Sequence, residues 1–124
     1  MEQKFYRCEV CGNIIAKVHD SKVPVVCCMQ KMQEIVPNTV DASGEKHIPE
    51  YTVDGNIVTV NVGSIEHPMT AEHYIEWVSI QTKHGNQRKC LSPDSKPVVK
   101  FALLDGDEIE AVFAYCNLHG LWKK

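Results

Sequence analysis

Tyr51-Thr52-Val53-Asp54-Gly55-Asn56-Ile57-Val58-Thr59-Val60-Asn61-Val62 is the stretch that decides the fold class. Apolar and polar residues alternate on both sides of Asp54-Gly55-Asn56, and a period of two puts every second side chain on one face of a strand. Asp-Gly supplies the positive φ that a tight turn needs, so the stretch predicts an antiparallel hairpin. Downstream, Tyr74 to Thr82 also alternates, with Ile75, Trp77 and Ser79 on one face and Tyr74, Glu76, Val78 and Ile80 on the other. Both faces carry apolar residues, as in a strand buried on both sides. Pro97 to Leu104 and Glu108 to Tyr115 flank Asp105-Gly106-Asp107, a second hairpin signal, and Gln87 to Leu91 is a weaker strand. No stretch has a convincing helical period. Six or seven short strands at this spacing predict a mainly β protein built on an antiparallel β-sandwich.

Upstream of the hairpin the pattern changes. Pro37-Asn38-Thr39-Val40-Asp41-Ala42-Ser43-Gly44 is polar and reads as a linker or loop. Before it, residues 1–36 contain Cys8, Cys11, Cys27 and Cys28 and few residues able to build a core. So short a segment needs a metal to supply the folding free energy that apolar burial cannot. The expected organisation is a metal-stapled module over residues 1–36 and a compact domain over 37–124, which suits a chain of 124 residues.

Charge and composition exclude several functions. The net charge is −3, and no run of Lys or Arg exceeds two residues, so no nucleic-acid partner is expected. No stretch approaches the about 20 apolar residues of a membrane span. Met1-Glu2-Gln3-Lys4-Phe5-Tyr6 lacks the apolar core of a leader peptide. A cytoplasmic location is therefore expected, and there six cysteines are metal ligands or thiols rather than disulfides.

Cys8-x2-Cys11-x15-Cys27-Cys28 is a strong four-thiolate signal, because a Cys-x2-Cys turn lets two sulfurs converge on one tetrahedral ion. Adjacent cysteines in an extended chain point to opposite sides, so Cys27-Cys28 must occupy a turn. Iron and zinc both accept four sulfurs. An iron centre would carry single electrons, whereas zinc would be inert.

A second constellation is spread along the sandwich. His47 follows the polar loop, His67 and His73 border the start of a strand, and Cys116 and His119 close the last strand through Asn117-Leu118. Four imidazoles and one thiolate would leave one position open on a six-coordinate iron, unlike structural zinc with its closed shell of four. His19, His84 and Cys90 have no partners at ligand spacing and read as solvated or structural, and Met29 and Met32 read as packing for the small module. Two rival readings stand at this point. One is a blue-copper carrier, although no methionine follows His119 as an axial ligand. The other is a zinc-ribbon interaction module beside an inert β domain.

From Phe5 to Trp122 the chain resembles the desulfoferrodoxin type of superoxide reductase. Cys8, Cys11, Cys27 and Cys28 correspond to that family's desulforedoxin-like FeS4 centre. Glu45-Lys46-His47, His67-Pro68-Met69, Glu72-His73-Tyr74 and Cys116-Asn117-Leu118-His119-Gly120 match the motifs of its catalytic iron. The resemblance implies a small desulforedoxin-like domain, an immunoglobulin-like sandwich, two mononuclear irons and a homodimer. It also implies one-electron reduction of superoxide to hydrogen peroxide at iron bound by His47, His67, His73, His119 and Cys116, with a rubredoxin-like donor. By the same resemblance Lys46 attracts the anion near the open face, and Glu45 reaches the ferric iron after peroxide leaves.

Overall fold

The computed structural model describes residues 2–124. It divides into two compact units, Met1–Val36 and Pro37–Lys124. Among the described residues no helix is long and apolar enough to cross a membrane.

The first unit holds five short strands: β1 (Phe5–Arg7), β2 (Ile14–Ala16), β3 (Val26–Cys27), β4 (Gln30–Lys31) and β5 (Gln33–Ile35). A three-stranded antiparallel sheet has the order β2-β1-β5, and β3 and β4 form a separate hairpin. Phe5, Cys8 and Met32 are its buried apolar residues. That is too little area to offset the ordering of the backbone. Met32 packs inward as expected, but Met29 is 96% exposed and packs nothing. The reason is local: Cys27 pairs with Gln30, so Cys28 and Met29 are the two turn residues, with φ of 51° and 63°. Two consecutive positive φ values make a type I′ turn, whose tip points away from the strands. A residue other than glycine held there costs about 1 kcal/mol.

The second unit is a sandwich of two antiparallel sheets. One contains β6 (Pro49–Asp54), β7 (Ile57–Val62) and β10 (Val98–Ala102) in the order β10-β7-β6. The other contains β8 (Ile75–Thr82), β9 (Gly85–Cys90), β11 (Ile109–Cys116) and β12 (Gly120–Lys123) in the order β12-β11-β8-β9. Their inner faces share one core, with Val58, Val60, Val62 and Phe101 from the first sheet and Ile75, Val78, Ile80 and Val112 from the second. The central strand β8 is buried at most positions, whereas the edge strand β9 is exposed throughout. The β6–β7 hairpin forms as the Asp-Gly signal requires, with Asp54 paired to Ile57.

Two local expectations are corrected, and a third is refined. Asp105-Gly106-Asp107 does not close a hairpin, because β10 pairs with β7 while β11 pairs with β8 and β12. The link passes between sheets, held by Asp107 accepting from the Thr82 hydroxyl and the His84 amide. Residues 37–43 are a loop, as expected, but one tethered to the sandwich. Asn38 runs along the outer edge of β12, donating its backbone N–H to Leu121 O and its Nδ2 to Lys123 O, and accepting from Lys123 N–H. Finally, a one-turn helix, α1 (Gly44–His47), forms where the sequence suggested none.

Candidate metal centres

In the first unit, two turns bring four sulfurs together. Gly12 N–H donates to Cys8 O, and Cys11 N–H points at Cys8 Sγ from 3.5 Å. The type I′ turn answers the problem of adjacent cysteines by bending the chain between them. Cys11 Sγ lies 3.6 Å from Cys27 Sγ, which lies 4.0 Å from Cys28 Sγ. Tetrahedral binding with metal–sulfur bonds of about 2.3 Å puts sulfurs about 3.8 Å apart, so the group fits a four-thiolate ion. Their acidities support this. The Cys11 backbone N–H holds the Cys8 thiol down at about 6, while the side chains of Cys11 and Cys8 push Cys28 up to about 12. Thiolates crowd thiolates, and a cation is what allows all four to ionise.

The second group is assembled at the ends of the sandwich strands. His47 closes α1, whose seat depends on Gly63. Gly63 N–H donates to Ile48 O, and its φ of 84° together with its lack of a side chain lets the backbone pass under α1. A Cβ there would meet Ile65 O and come within 2.6 Å of Lys46 O. Ile65 N–H and the Ser64 hydroxyl then donate to Glu45 O. Cys116 is fully buried at the end of β11, where the register against β8 slips between Tyr115 and Cys116. Such an irregularity re-aims a side chain at the rim of a sheet.

Asn117 ties two ligand-bearing segments. Its backbone N–H donates to Tyr74 O, its Oδ1 accepts from Tyr74 N–H at 2.9 Å, and its Nδ2 donates to Glu72 O at 2.9 Å. Those bonds flank His73 on one side and lie between Cys116 and His119 on the other. Trp122 contributes as well, donating Nε1–H to His119 O at 3.1 Å and setting its ring 4.9 Å from that of His47. Neither residue was singled out from the sequence, since neither side chain is itself a ligand type.

The four imidazoles form a closed pinwheel. Neighbouring rings, His47–His67, His67–His73, His73–His119 and His119–His47, have centroids 4.6, 4.7, 5.0 and 4.9 Å apart and stand nearly perpendicular. His47 Nε2 lies 3.1 Å from both His67 Nε2 and His119 Nδ1. Two such edges belong to a square whose centre is about 2.2 Å from each corner, close to the roughly 2.0–2.1 Å of metal–imidazole bonds. Atoms of His47, His67, His73 and Cys116 all lie within 4.8 Å of one another, and His119 Nδ1 is 4.0 Å from Cys116 Sγ.

Proton accounting supplies the test of fit. His47 donates its Nδ1–H to Ser43 O at 2.6 Å, and His67 donates its own to Pro68 O at 2.7 Å. Burial depresses the imidazole pKa values of both, that of His67 to about 4, so each is neutral and has one proton to give. Their Nε2 atoms therefore face each other as lone pairs with no hydrogen between them. His73 Nε2 is likewise buried with no hydrogen-bond partner. Converging lone pairs repel unless a cation sits among them, and the carbonyl partners fix the tautomers that aim them inward. Burial raises the Cys116 thiol, an effect opposed by the His119 and Leu118 backbone N–H groups.

The remaining candidates stand apart. Glu45 and Lys46 are exposed on α1 beside His47. His19, His84 and Cys90 are exposed, Cys90 because it ends the edge strand β9. An inert β domain would leave its histidines scattered, and a blue-copper site would gather two of them rather than four.

A profile described as desulfoferrodoxin matches residues 39–124, and one described as the desulfoferrodoxin N-terminal domain matches residues 1–35. The chain is 44% identical over 119 residues to a desulfoferrodoxin of Syntrophotalea carbinolica, covering 94% of this chain and 91% of the relative. It is 33% identical to a superoxide reductase of Pyrococcus horikoshii over 67% of this chain and 87% of that one. The crystal structure of the superoxide reductase from Treponema pallidum superposes with a TM-score of 0.85 at 39% identity, covering 100% of this chain and 99% of that one. The four-cysteine group and the imidazole–thiolate group match the two iron sites of desulfoferrodoxin, and the chain belongs to the desulfoferrodoxin family.

Proposed function

We propose that this chain is a superoxide reductase: superoxide gains one electron and two protons and leaves as hydrogen peroxide, without release of dioxygen. The observation that carries the reading is the inward convergence of the His47 and His67 Nε2 atoms, 3.1 Å apart with their protons committed to carbonyls, beside the rings of His73 and His119 and a buried cysteine. His47, His67, His73, His119 and Cys116 would hold an iron, which would supply the electron.

The chain's own residues do the rest. Ser43 O and Pro68 O keep His47 and His67 in the ligating tautomer, and Asn117 holds the His73 segment against the Cys116–His119 turn. Lys46 places a positive charge whose field reaches the His47 and His73 rings. That field would draw the superoxide anion in. Glu45, on the same turn of α1, would offer its carboxylate to the iron in the oxidised state. Residues 1–36 serve as a desulforedoxin-like FeS4 domain, with Cys8, Cys11, Cys27 and Cys28 as ligands, and residues 37–124 as the catalytic domain. A rubredoxin-like protein returns the electron, and the working form is a homodimer in the cytoplasm, where reducing conditions keep the cysteines as thiols.

The test is anaerobic mixing of iron-loaded, reduced protein with superoxide. One peroxide per superoxide and no dioxygen is the expected outcome. Dioxygen evolution, or superoxide surviving at its spontaneous rate, would overturn the reading.

A further inference from the structure

His47 is held from two directions by residues that bind no metal themselves. Its Nδ1–H goes to Ser43 O at 2.6 Å, and the ring of Trp122 lies 4.9 Å from its own at an inclination of 30°. Ser43 ends the loop of residues 37–43, and Trp122 stands in β12. The two supports would be independent if that loop were slack, but it is pinned. Asn38 clasps β12 on both sides of Trp122: its backbone N–H donates to Leu121 O at 3.1 Å, its Oδ1 accepts from Lys123 N–H at 2.9 Å, and its Nδ2 donates to Lys123 O at 3.0 Å.

Between Asn38 and Ser43 the loop is fixed once more. Val40 Cγ2 lies 3.5 Å from where a Cβ on Gly120 would stand, so Val40 packs over the residue that follows His119. The contacts close a circuit. It runs from Asn38 to β12, from Trp122 to the His47 ring, from His47 Nδ1 to Ser43 O, and back along the loop to Asn38. Trp122 also donates Nε1–H to His119 O at 3.1 Å, which brings a second imidazole-bearing residue into the same circuit. Asn38 itself stands at φ 62°, a conformation that asparagine adopts more readily than most residues. It therefore suits both the bend of the loop and the two-way bond to Lys123.

We propose that Asn38 is a positioning residue for the imidazole–thiolate centre: by fixing the loop to β12 it sets where Ser43 O stands, and with it the tautomer and the aim of His47. The proposal rests on the reading of that centre as an iron site. Asn38 acts through Ser43 O rather than by touching the ion. A carbonyl that partners the far nitrogen of a ligating imidazole fixes which nitrogen carries the proton and how the ring is turned. If the loop slackens, Ser43 O withdraws, the His47 ring is free to turn, and its lone pair no longer points along the bond. One of four imidazoles is then out of line, which lowers the symmetry of the set as well as its grip.

The experiment uses the full-length, iron-loaded chain, with three readouts: the electron paramagnetic resonance of the oxidised imidazole–thiolate centre, its thiolate-to-iron absorption, and its hold on ferrous iron against a competing chelator. Asn38→Gly keeps the positive φ and the bond to Leu121 O but loses both side-chain bonds. It should stay folded, release iron from this centre about fivefold more readily, and shift the resonance and the absorption band, while the four-cysteine absorption stays as in the parent. Asn38→Asp, which keeps the acceptor for Lys123 N–H, should fall between. Val99→Ala, a core truncation in the other sheet, should lower the melting temperature and leave the signature of the centre unmoved. An Asn38→Gly protein that melts earlier yet keeps the parent signature and affinity would overturn the proposal, as would a Val99→Ala protein whose signature moves as far. Parent protein that takes up no iron at this centre would overturn the iron reading beneath it, and the proposal with it.

Discussion

The two metal-binding groups are built in opposite ways. The four cysteines sit on short turns of a module with three buried apolar residues, and two of the four are exposed. The imidazole–thiolate group draws on segments far apart in sequence, and His47, His67 and Cys116 are almost wholly buried. One group makes its domain, whereas the other is made by its domain. A site that reduces a small anion selectively benefits from rigid, water-poor surroundings, so burial suits the second.

Metal removal tests this contrast most severely. Chelation should abolish amide-exchange protection in residues 2–36 while leaving β7, β8 and β11 protected, because the sandwich core does not depend on the ion. Equal loss in both units would break the comparison. Next in size is Gly63→Ala. A Cβ driven against the backbone under α1, at φ 84°, should cost about 3 kcal/mol in denaturant unfolding followed at Trp77 and Trp122, and displace His47.

Asn117→Ala removes one acceptor and one donor of the brace. It should cost about 2 kcal/mol and lower iron affinity of the second group about tenfold, with the first group untouched. Asn117→Asp keeps the acceptor and should fall between. Acid gives a graded effect. In the metal-free protein the His47, His67 and His73 imidazoles bind protons less readily folded than unfolded, so stability is full above about pH 6.5 and declines as pH falls toward about 4. Urea titrations at several pH values check this, and constant stability across that window would contradict the burial argument. The smallest effects concern α1. Lys46→Ala should slow superoxide capture about fivefold and remove its salt dependence. Glu45→Ala should alter the spectrum of the oxidised protein and leave capture unchanged.

The legible parts of the sequence were those whose signal is local. Alternation around Asp54-Gly55-Asn56 specifies β6 and β7 because side-chain direction repeats every two residues, and the Cys-x2-Cys spacing specifies a shared ion because the two sulfurs lie one turn apart. Asp105-Gly106-Asp107 misled because the same dipeptide suits a hairpin and a link between sheets; only pairing partners distant in sequence separate the two. His47 and Cys116 are 69 positions apart in the sequence. Nothing in either neighbourhood announces the other, so their union was visible through the family motifs rather than through periodicity. Gly63 and Trp122 were invisible and Asn117 read only as a turn residue for a related reason, since each acts on backbone that is distant or unplaced in the sequence: Gly63 by letting it pass, Asn117 and Trp122 by side-chain hydrogen bonds to it.

Asn38 carries a practical consequence. Its three hydrogen bonds occupy the outer edge of β12, which would otherwise offer unpaired amides and carbonyls to any extended peptide. Cutting the chain where the larger family match begins, at residue 39, would strip that cover. A truncated sandwich meant to stay monodisperse in storage should therefore begin at Pro37 or earlier.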